Sequence, residues 1–94
     1  MKLEKEAVEA WLEDRRGWKL RDEALIKEFK FKSFRNTIVF VNRIATLADD
    51  AGHHPDIDIR YDTVTLRLST HDVGGITDKD LELARAVDFA TSAR

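Results

Sequence analysis

Two runs of strict apolar and polar alternation stand side by side at the centre of the chain, around Asp62-Thr63. Alternation with a period of two is typical of a strand with one buried face, because successive side chains point to opposite sides. Two such runs with a short connection predict an antiparallel β-hairpin. The apolar residues are Ile57, Ile59 and Tyr61 in the first run and Val64, Leu66 and Leu68 in the second.

The register of this hairpin decides which residues meet at its open end. We centre the turn on Asp62-Thr63, although the loop lacks the Asn-Gly or Asp-Gly that two-residue turns prefer, which leaves the register open by about one residue. Facing residues of an antiparallel pair lie about 5 Å apart, so this register would gather all three histidines of the chain at one place. The predicted facing pairs are Ile57 with Leu68, Ile59 with Leu66, and His54 with His71.

Three further segments show helical spacing. Residues 3–12 form a short first helix, with Gly17 as its stop, and residues 34–51 form a longer one after Ser33 as N-cap. The last helix begins with a capping box, in which Asp80 stands three positions after Thr77. Two strands lie between the first two helices: a possible edge strand at "GWKL" and a half-buried strand that includes Leu25, Phe29 and Phe31.

The helix over residues 34–51 has an unusually wide apolar surface. Its two apolar stripes merge into an arc of roughly 180°, whereas about 100° is enough to cover a sheet. Part of this helix is therefore predicted to meet another chain, and a helix sunk deeper into its own domain is the alternative. The stripes consist of Phe34, Ile38, Val41, Ala45 and Ala48, and of Phe40, Ile44, Leu47 and Ala51.

Length and composition limit the class of protein. With 94 residues the chain is expected to form one domain, residues 1–94, and so small a core makes a partner subunit plausible. The net charge of -2 and the interleaved charges give no basic stripe, so nucleic acid is not an expected partner. No cysteine is present, no apolar run approaches the ~20 residues of a membrane span, and the start of the chain lacks a signal-peptide pattern, so we expect a cytoplasmic protein without membrane insertion.

The histidines are the candidate functional residues. His53 and His54 are adjacent, and Pro55 restricts His54 to extended geometry and stops the preceding helix. Imidazole both donates and accepts protons near neutral pH, so a cluster of these rings suits acid/base chemistry. Asp49 lies four residues before His53 and could orient an imidazole or accept N–H groups of a ligand.

Three histidines and a carboxylate could alternatively bind a zinc ion. We do not expect one, because neighbouring histidines rarely reach the same ion and the chain has no HExxH spacing. The sequence also lacks a glycine-rich phosphate loop and a nucleophile elbow, and Gly74-Gly75 is expected to shape the turn into the last helix.

The spacing of these residues resembles the signature of the pterin-4a-carbinolamine dehydratase family. The segments "GWKL", "FKFKSF", "GHHPDI" and "LSTHDVGGITDKDLELA" extend the likeness over most of the chain. The resemblance implies an α+β fold with a four-stranded antiparallel sheet, helices packed on one face and the order α-β-β-α-β-β-α, assembled into dimers or tetramers. The signature residues are Asp49, His53-His54-Pro55, Tyr61, His71 and Asp80.

The resemblance also implies an activity. Family members remove water from 4a-hydroxytetrahydropterin to give quinonoid dihydropterin, without a metal or organic cofactor, and so recycle the cofactor of aromatic amino-acid hydroxylases such as phenylalanine hydroxylase. Animal members also act as a dimerisation cofactor of a transcription factor, and related chains are Rubisco assembly chaperones, in which the catalytic histidines tend to be lost. These non-enzymatic roles are the alternative function.

Site roles follow from the resemblance residue by residue. His53 and His71 would be proton donor and acceptor, with the order open, and His54 would bind and polarise the pterin. Asp49 would contact or orient the pterin, and three further residues would line the pocket. Asp80 is expected to act as the capping partner of Thr77 rather than in catalysis. The pocket residues are Pro55, Thr70 and Asp72.

Overall fold

The computed structural model describes residues 1–92, without the side chain of Ser92, and confirms the order α-β-β-α-β-β-α. A 3₁₀ turn at His71–Val73 lies between the last strand and the last helix. The helices are α1 Lys5–Leu12, α2 Phe34–Ala51 and α3 Asp78–Ser92, and the strands are β1 Lys19–Arg21, β2 Ala24–Lys30, β3 Asp56–Arg60 and β4 Thr63–Leu68.

The four strands form one antiparallel sheet in the order β1-β2-β4-β3, so β1 and β3 are its edges. The segment "GWKL" indeed contributes an edge strand. Burial alternates along β4, where every second side chain is completely buried, because only one face of the sheet packs against the helices. The predicted α+β class with a four-stranded antiparallel sheet is confirmed.

Apolar side chains from all three helices meet the covered face of the sheet. Phe40 of α2 lies between two aromatic rings of the β2 region, with ring centroids 4.8 Å from Phe29 and 4.9 Å from Phe31. The N-cap predicted for α2 is present, since Ser33 Oγ accepts the Asn36 N–H at 3.0 Å. The predicted stop of the first helix at Gly17 is wrong, because α1 ends at Leu12 with Glu13 as its C-cap. The core residues from the helices are Val8, Phe40, Ile44, Leu83, Ala84 and Val87.

The predicted hairpin register is wrong by two residues. The turn residues are Tyr61 and Asp62, and strand pairing begins with Arg60 opposite Thr63. Tyr61 has a φ of 54°, so it reverses the chain in the left-handed region without help from glycine. A shift of two keeps the side chains of β3 and β4 on their predicted faces, because the period of a strand is also two, whereas Tyr61 leaves the strand for the turn. The observed pairs are Ile57 with Leu66 and Ile59 with Val64, and His54 precedes β3 rather than facing His71.

The wide apolar surface of α2 divides into two parts. Phe40, Ile44 and Ala48 are buried within the chain itself, as is Thr37. Phe34 and Val39 are exposed, and the Phe34 ring stacks on Tyr61 with centroids 6.4 Å apart. The predicted contact of α2 with another chain therefore concerns only the exposed residues, and it stays a prediction.

Candidate active site

The end of α2 sets the direction of the two adjacent histidines. The helix stops at Ala51, and Gly52 follows in the left-handed conformation with φ 62° and ψ 31°. Such a glycine closes a helix without steric cost and turns the chain away from the helix axis. His53 is still tied to α2 because its N–H donates to Ala48 O at 3.1 Å. The two imidazoles therefore leave the helix end with different surroundings.

His53 points into the protein and meets a buried carboxylate. Its Nε2 lies 2.5 Å from Asp80 Oδ1 of α3, and its side chain is only 11% exposed. Asp80 is completely inaccessible to solvent. A buried carboxylate is stable only when donors satisfy its oxygens, so the surroundings of Asp80 matter as much as the histidine.

Two further donors hold the other oxygen of Asp80. Thr70 Oγ1 donates to Oδ2 at 2.8 Å, and the Thr77 backbone N–H donates to the same oxygen at 2.9 Å. The second bond confirms the predicted capping box at the start of α3. Asp80 thus caps α3 through the Thr77 N–H and also contacts His53, whereas the sequence interpretation favoured the capping role alone.

His54 is held by a different carboxylate in a different environment. Its Nε2 lies 2.9 Å from Asp49 Oδ1, and the two side chains are 64% and 75% exposed. We expected Asp49 to orient an imidazole one turn later, at His53. The helix ends before that turn is complete, so Asp49 reaches His54 instead.

His71 lies one residue after Thr70, at the start of the 3₁₀ turn. Backbone bonds close this loop, because Thr70 N–H donates to Gly75 O at 2.7 Å and Gly74 takes the left-handed conformation with φ 65°. The loop confirms that Gly74-Gly75 shapes the turn into α3. The side chains of His71 and Asp72 are exposed. Among residues 1–92, no hydrogen bond or ion pair of the His71 ring is found.

The structure therefore brings part of the predicted site together. Asp80 joins His53 to Thr70, so the backbone before His71 lies beside the carboxylate that holds His53. His54 and Asp49 form a separate pair at the surface, and Pro55 is half-buried between that pair and β3. The Thr70 hydroxyl donates to Asp80, and the expectation that Thr70 lines the pocket stays a prediction.

Asp80 has a second partner, His53, that the sequence interpretation did not predict. Its place in the spaced signature was a signal, yet the capping box offered a sufficient explanation for the same residue. A sequence shows only local partners, and His53 lies 27 positions away.

Other features of the described chain bear on ligands. Within residues 1–92, no group of three or more His, Asp or Glu side chains is arranged to hold a metal ion. Two surface depressions lie away from the histidines. One runs between the N-terminal segment and the turn from β1 to β2, and the other follows the open face of the sheet. None of the helices in this part of the chain is long and apolar enough to span a bilayer.

The fold is an antiparallel sheet covered by helices, of the α+β class, and two imidazole–carboxylate pairs lie just after the end of α2. The family model for pterin 4 alpha carbinolamine dehydratase matches residues 1–90, and the chain belongs to this family. A relative from Thermomicrobium roseum, provisionally assigned as a pterin-4-alpha-carbinolamine dehydratase, is 46% identical over 84 residues, which are 89% of this chain and 90% of the relative. One from Roseiflexus castenholzii with the same assignment is 51% identical over 86% of this chain and 87% of the relative.

Solved structures are similar as well. A transcriptional coactivator/pterin dehydratase from Brucella melitensis has a TM-score of 0.89 and 31% identity, covering 94% of this chain and 96% of its own. A pterin dehydratase-like protein that is a RuBisCO assembly factor in the alpha-carboxysome has a TM-score of 0.62 and 25% identity, covering 76% of this chain and 82% of its own. The same fold therefore occurs in proteins with different described roles.

Proposed function

We propose that this protein is a 4a-hydroxytetrahydrobiopterin dehydratase that removes water by histidine acid/base catalysis. The observation that carries the proposal is the His53–Asp80 pair, in which an imidazole side chain that is only 11% exposed is held by a carboxylate with no exposure to solvent. An imidazole fixed in this way is a positioned proton carrier, which is what the removal of water from a carbinolamine needs. Membership of the family supports the same reaction.

The chemistry requires two coordinated proton movements. The C4a–oxygen bond breaks as the hydroxyl group receives a proton and leaves as water. The lone pair of a neighbouring ring nitrogen forms the new carbon–nitrogen double bond, and that nitrogen gives its own proton to a base. The product is the quinonoid dihydropterin, and no electron is gained or lost.

We assign these proton movements to His53 and His71. His53 is the oriented ring, and His71 is an exposed ring in a loop that is anchored to Asp80 through Thr70. His54, held by Asp49, would bind and polarise the pterin from the solvent side. Pro55, Thr70 and Asp72 complete the proposed surroundings of the substrate, with Thr70 acting through Asp80. Positioned side chains of this kind usually contribute about 10²–10⁴-fold to a rate.

The direct test is a stopped-flow absorbance assay of the 4a-hydroxy intermediate, generated by a hydroxylase in the presence of the purified protein. We expect faster loss of the intermediate and formation of quinonoid dihydropterin. An unchanged decay rate at a protein concentration equal to that of the intermediate would refute the enzymatic proposal. A link to phenylalanine hydroxylase in a cytoplasmic recycling pathway belongs to this proposal and fails with it.

A non-enzymatic interaction role is the second candidate. The similarity to a RuBisCO assembly factor supports it, since that protein has the same fold. Retention of His53, His54 and His71 favours catalysis, because a scaffold alone does not need a paired buried imidazole. This second role would be supported if the wild-type protein shows no dehydratase activity and a variant with all three histidines replaced still binds a partner protein.

Self-association is part of the proposal. All five residues of the edge strand β3 are exposed, and Ile57 and Ile59 lie on the side of the sheet where the helices pack. An unpaired edge with apolar side chains is a template for another strand. If two copies pair antiparallel about Asp58, Asp56 of one copy would face Arg60 of the other at both ends of the contact. The two Asp58 carboxylates would meet at its centre, each paired with Arg60 of its own chain. We therefore propose a homodimer or homotetramer that uses this edge.

A further inference from the structure

The hydrogen bonds at Asp80 Oδ2 fix the direction of donation between Thr70 and Thr77. A hydroxyl group has a single proton, and the Thr70 hydroxyl uses its proton to donate to Asp80 Oδ2 at 2.8 Å. The contact of 2.8 Å between Thr70 Oγ1 and Thr77 Oγ1 must then have Thr77 as the donor. Thr77 Oγ1 in turn accepts the Lys79 N–H at 3.2 Å. The chain of donors therefore runs from the first turn of α3 toward the carboxylate.

This direction makes Asp80 Oδ2 an acceptor of two hydrogen bonds. Oδ2 accepts from Thr70 and from the Thr77 backbone, and Oδ1 faces His53 Nε2. Asp80 is the third residue of α3, where the helix dipole favours negative charge. Two donors on Oδ2 and the N-terminus of a helix together suit the ionised carboxylate, which can only accept hydrogen bonds. The partner at Oδ1 must then be an N–H group.

We infer that Asp80 holds the neutral His53 ring in the tautomer with its proton on Nε2. Nδ1 is then the nitrogen with the free lone pair. On the proposed function, on which this step rests, Nδ1 takes the proton from the substrate and Nε2 never exchanges it. Thr70 and Thr77 act as positioning residues, because they fix the carboxylate and do not touch the substrate.

The variant Asp80→Asn should reverse the tautomer. Thr70 and the Thr77 N–H both need an acceptor where Oδ2 lies, so the amide oxygen will occupy that place. The amide NH₂ then faces His53, and Nε2 can only accept. The proton moves to Nδ1, and the nitrogen that should work as the base is blocked. A tautomer change of the same kind in a serine-protease triad lowers kcat by about 10⁴-fold.

The experiment records long-range ¹H–¹⁵N correlation spectra of the imidazoles, at a pH at which the rings are neutral. His53 signals are identified by their loss in a His53→Gln variant. We expect an Nε2-protonated His53 in the wild-type protein and an Nδ1-protonated ring in Asp80→Asn. In the dehydration assay we expect kcat of Asp80→Asn to fall at least about 100-fold with KM within about threefold, because binding groups are retained.

Asp49→Asn is the matched control, since it changes the exposed carboxylate of the other pair and should leave the His53 tautomer unchanged. A wild-type His53 that is protonated on Nδ1 would overturn the inference, and this measurement needs neither a variant nor substrate. If Asp80→Asn folds and keeps the Nε2 proton, the inference is also wrong. A wild-type protein with the expected tautomer but without dehydratase activity would refute the proposed function and leave the assignment of the tautomer standing.

Discussion

His53 and Asp80 lie 27 positions apart in the chain, yet the imidazole Nε2 and the carboxylate Oδ1 are 2.5 Å apart. The same carboxylate caps α3 through the Thr77 N–H. The start of a helix and the orientation of a proposed proton carrier therefore depend on one side chain. Replacing a residue of this network should therefore lower both activity and stability, whereas replacing a site residue outside it should lower activity alone.

Replacement of His71 by alanine should affect activity alone. Its ring is exposed and makes no hydrogen bond within the part of the chain that is described, so its loss should leave the melting temperature within about 1–2 °C. We expect dehydration to slow by about 10²–10⁴-fold.

His53→Ala should lose activity and also stability, by about 1–3 kcal/mol, because it leaves Asp80 without one donor. Calorimetry measures the stability of the His53→Ala and His71→Ala variants, and the stopped-flow assay measures their activity. Equal losses of stability would contradict the conclusion that only His53 has a structural partner.

The two imidazole–carboxylate pairs should differ in their contribution to stability. Asp80→Ala removes a fully buried acceptor of three donors and should lower the free energy of unfolding by about 3 kcal/mol or more. Asp49→Ala removes an exposed pair and should change the free energy of unfolding by less than about 0.5 kcal/mol. The same small difference from the wild-type protein is expected in 0.5 M salt. Urea titrations followed by circular dichroism measure both. A larger effect at Asp49 would show that exposure is a poor guide here.

The hairpin illustrates what the sequence allowed us to predict. Alternation gave the faces of β3 and β4 correctly, because burial depends on parity, and parity survived the error in register. The register itself depended on Tyr61, which adopts a φ of 54° that few non-glycine residues take. Nothing in the side chain of a tyrosine indicates that conformation in advance.

The site shows the same limit on a longer scale. The spacing of Asp49 and His53 suited one helical turn, and the glycine that ends α2 redirected Asp49 to His54. The Asp80 capping box was predictable because both partners are local in sequence. Its contact with His53 was not, because it depends on how α3 packs beside the end of α2.

A partly buried carboxylate of α3, Asp88, joins this helix to the sheet region. Asp88 accepts the Trp18 indole N–H and the Lys27 ammonium, each at 2.9 Å. Both charged side chains are less than a third exposed. Asp88→Ala should lower the free energy of unfolding by about 2–3 kcal/mol, since it leaves two donors unsatisfied, one of them charged. Tryptophan fluorescence during urea unfolding follows the change.

The exposed pair of Asp58 and Arg60 is the control for Asp88. The Arg60 nitrogen and the Asp58 oxygen are 3.1 Å apart, almost as close, but the Arg60 side chain is 81% exposed and that of Asp58 52%. Asp58→Ala should change stability by less than about 0.5 kcal/mol. Equal losses for the two alanine variants would mean that distance rather than burial sets the contribution.

Asp62 in the hairpin turn has a lowered pKa, chiefly because its carboxylate accepts a hydrogen bond from Lys30 at 3.1 Å, although partial desolvation opposes this. A folded-state pKa below the ordinary value of 3.8 means that this contribution to stability is complete above 3.8 and is lost as the pH falls through the folded value. Lys30→Met should raise the Asp62 pKa toward 3.8. A carboxyl titration by NMR measures it, and Lys32→Met should leave it unchanged.

The assembly prediction separates residues of the core from those of the surface. Ile44 is completely buried within its own chain, so Ile44→Lys should prevent folding, by the cost of an unpaired buried charge, before it affects any interface. Ile59 is 42% exposed on the edge strand, so Ile59→Lys leaves the core packed and places a charge where a second strand would pair. We expect a folded protein with a smaller mass by light scattering. Thr46→Lys, at an exposed position of α2, should keep the wild-type mass. If Ile59→Lys also retains that mass, the subunits do not meet through β3, and the exposed residues of α2 become the surface to test.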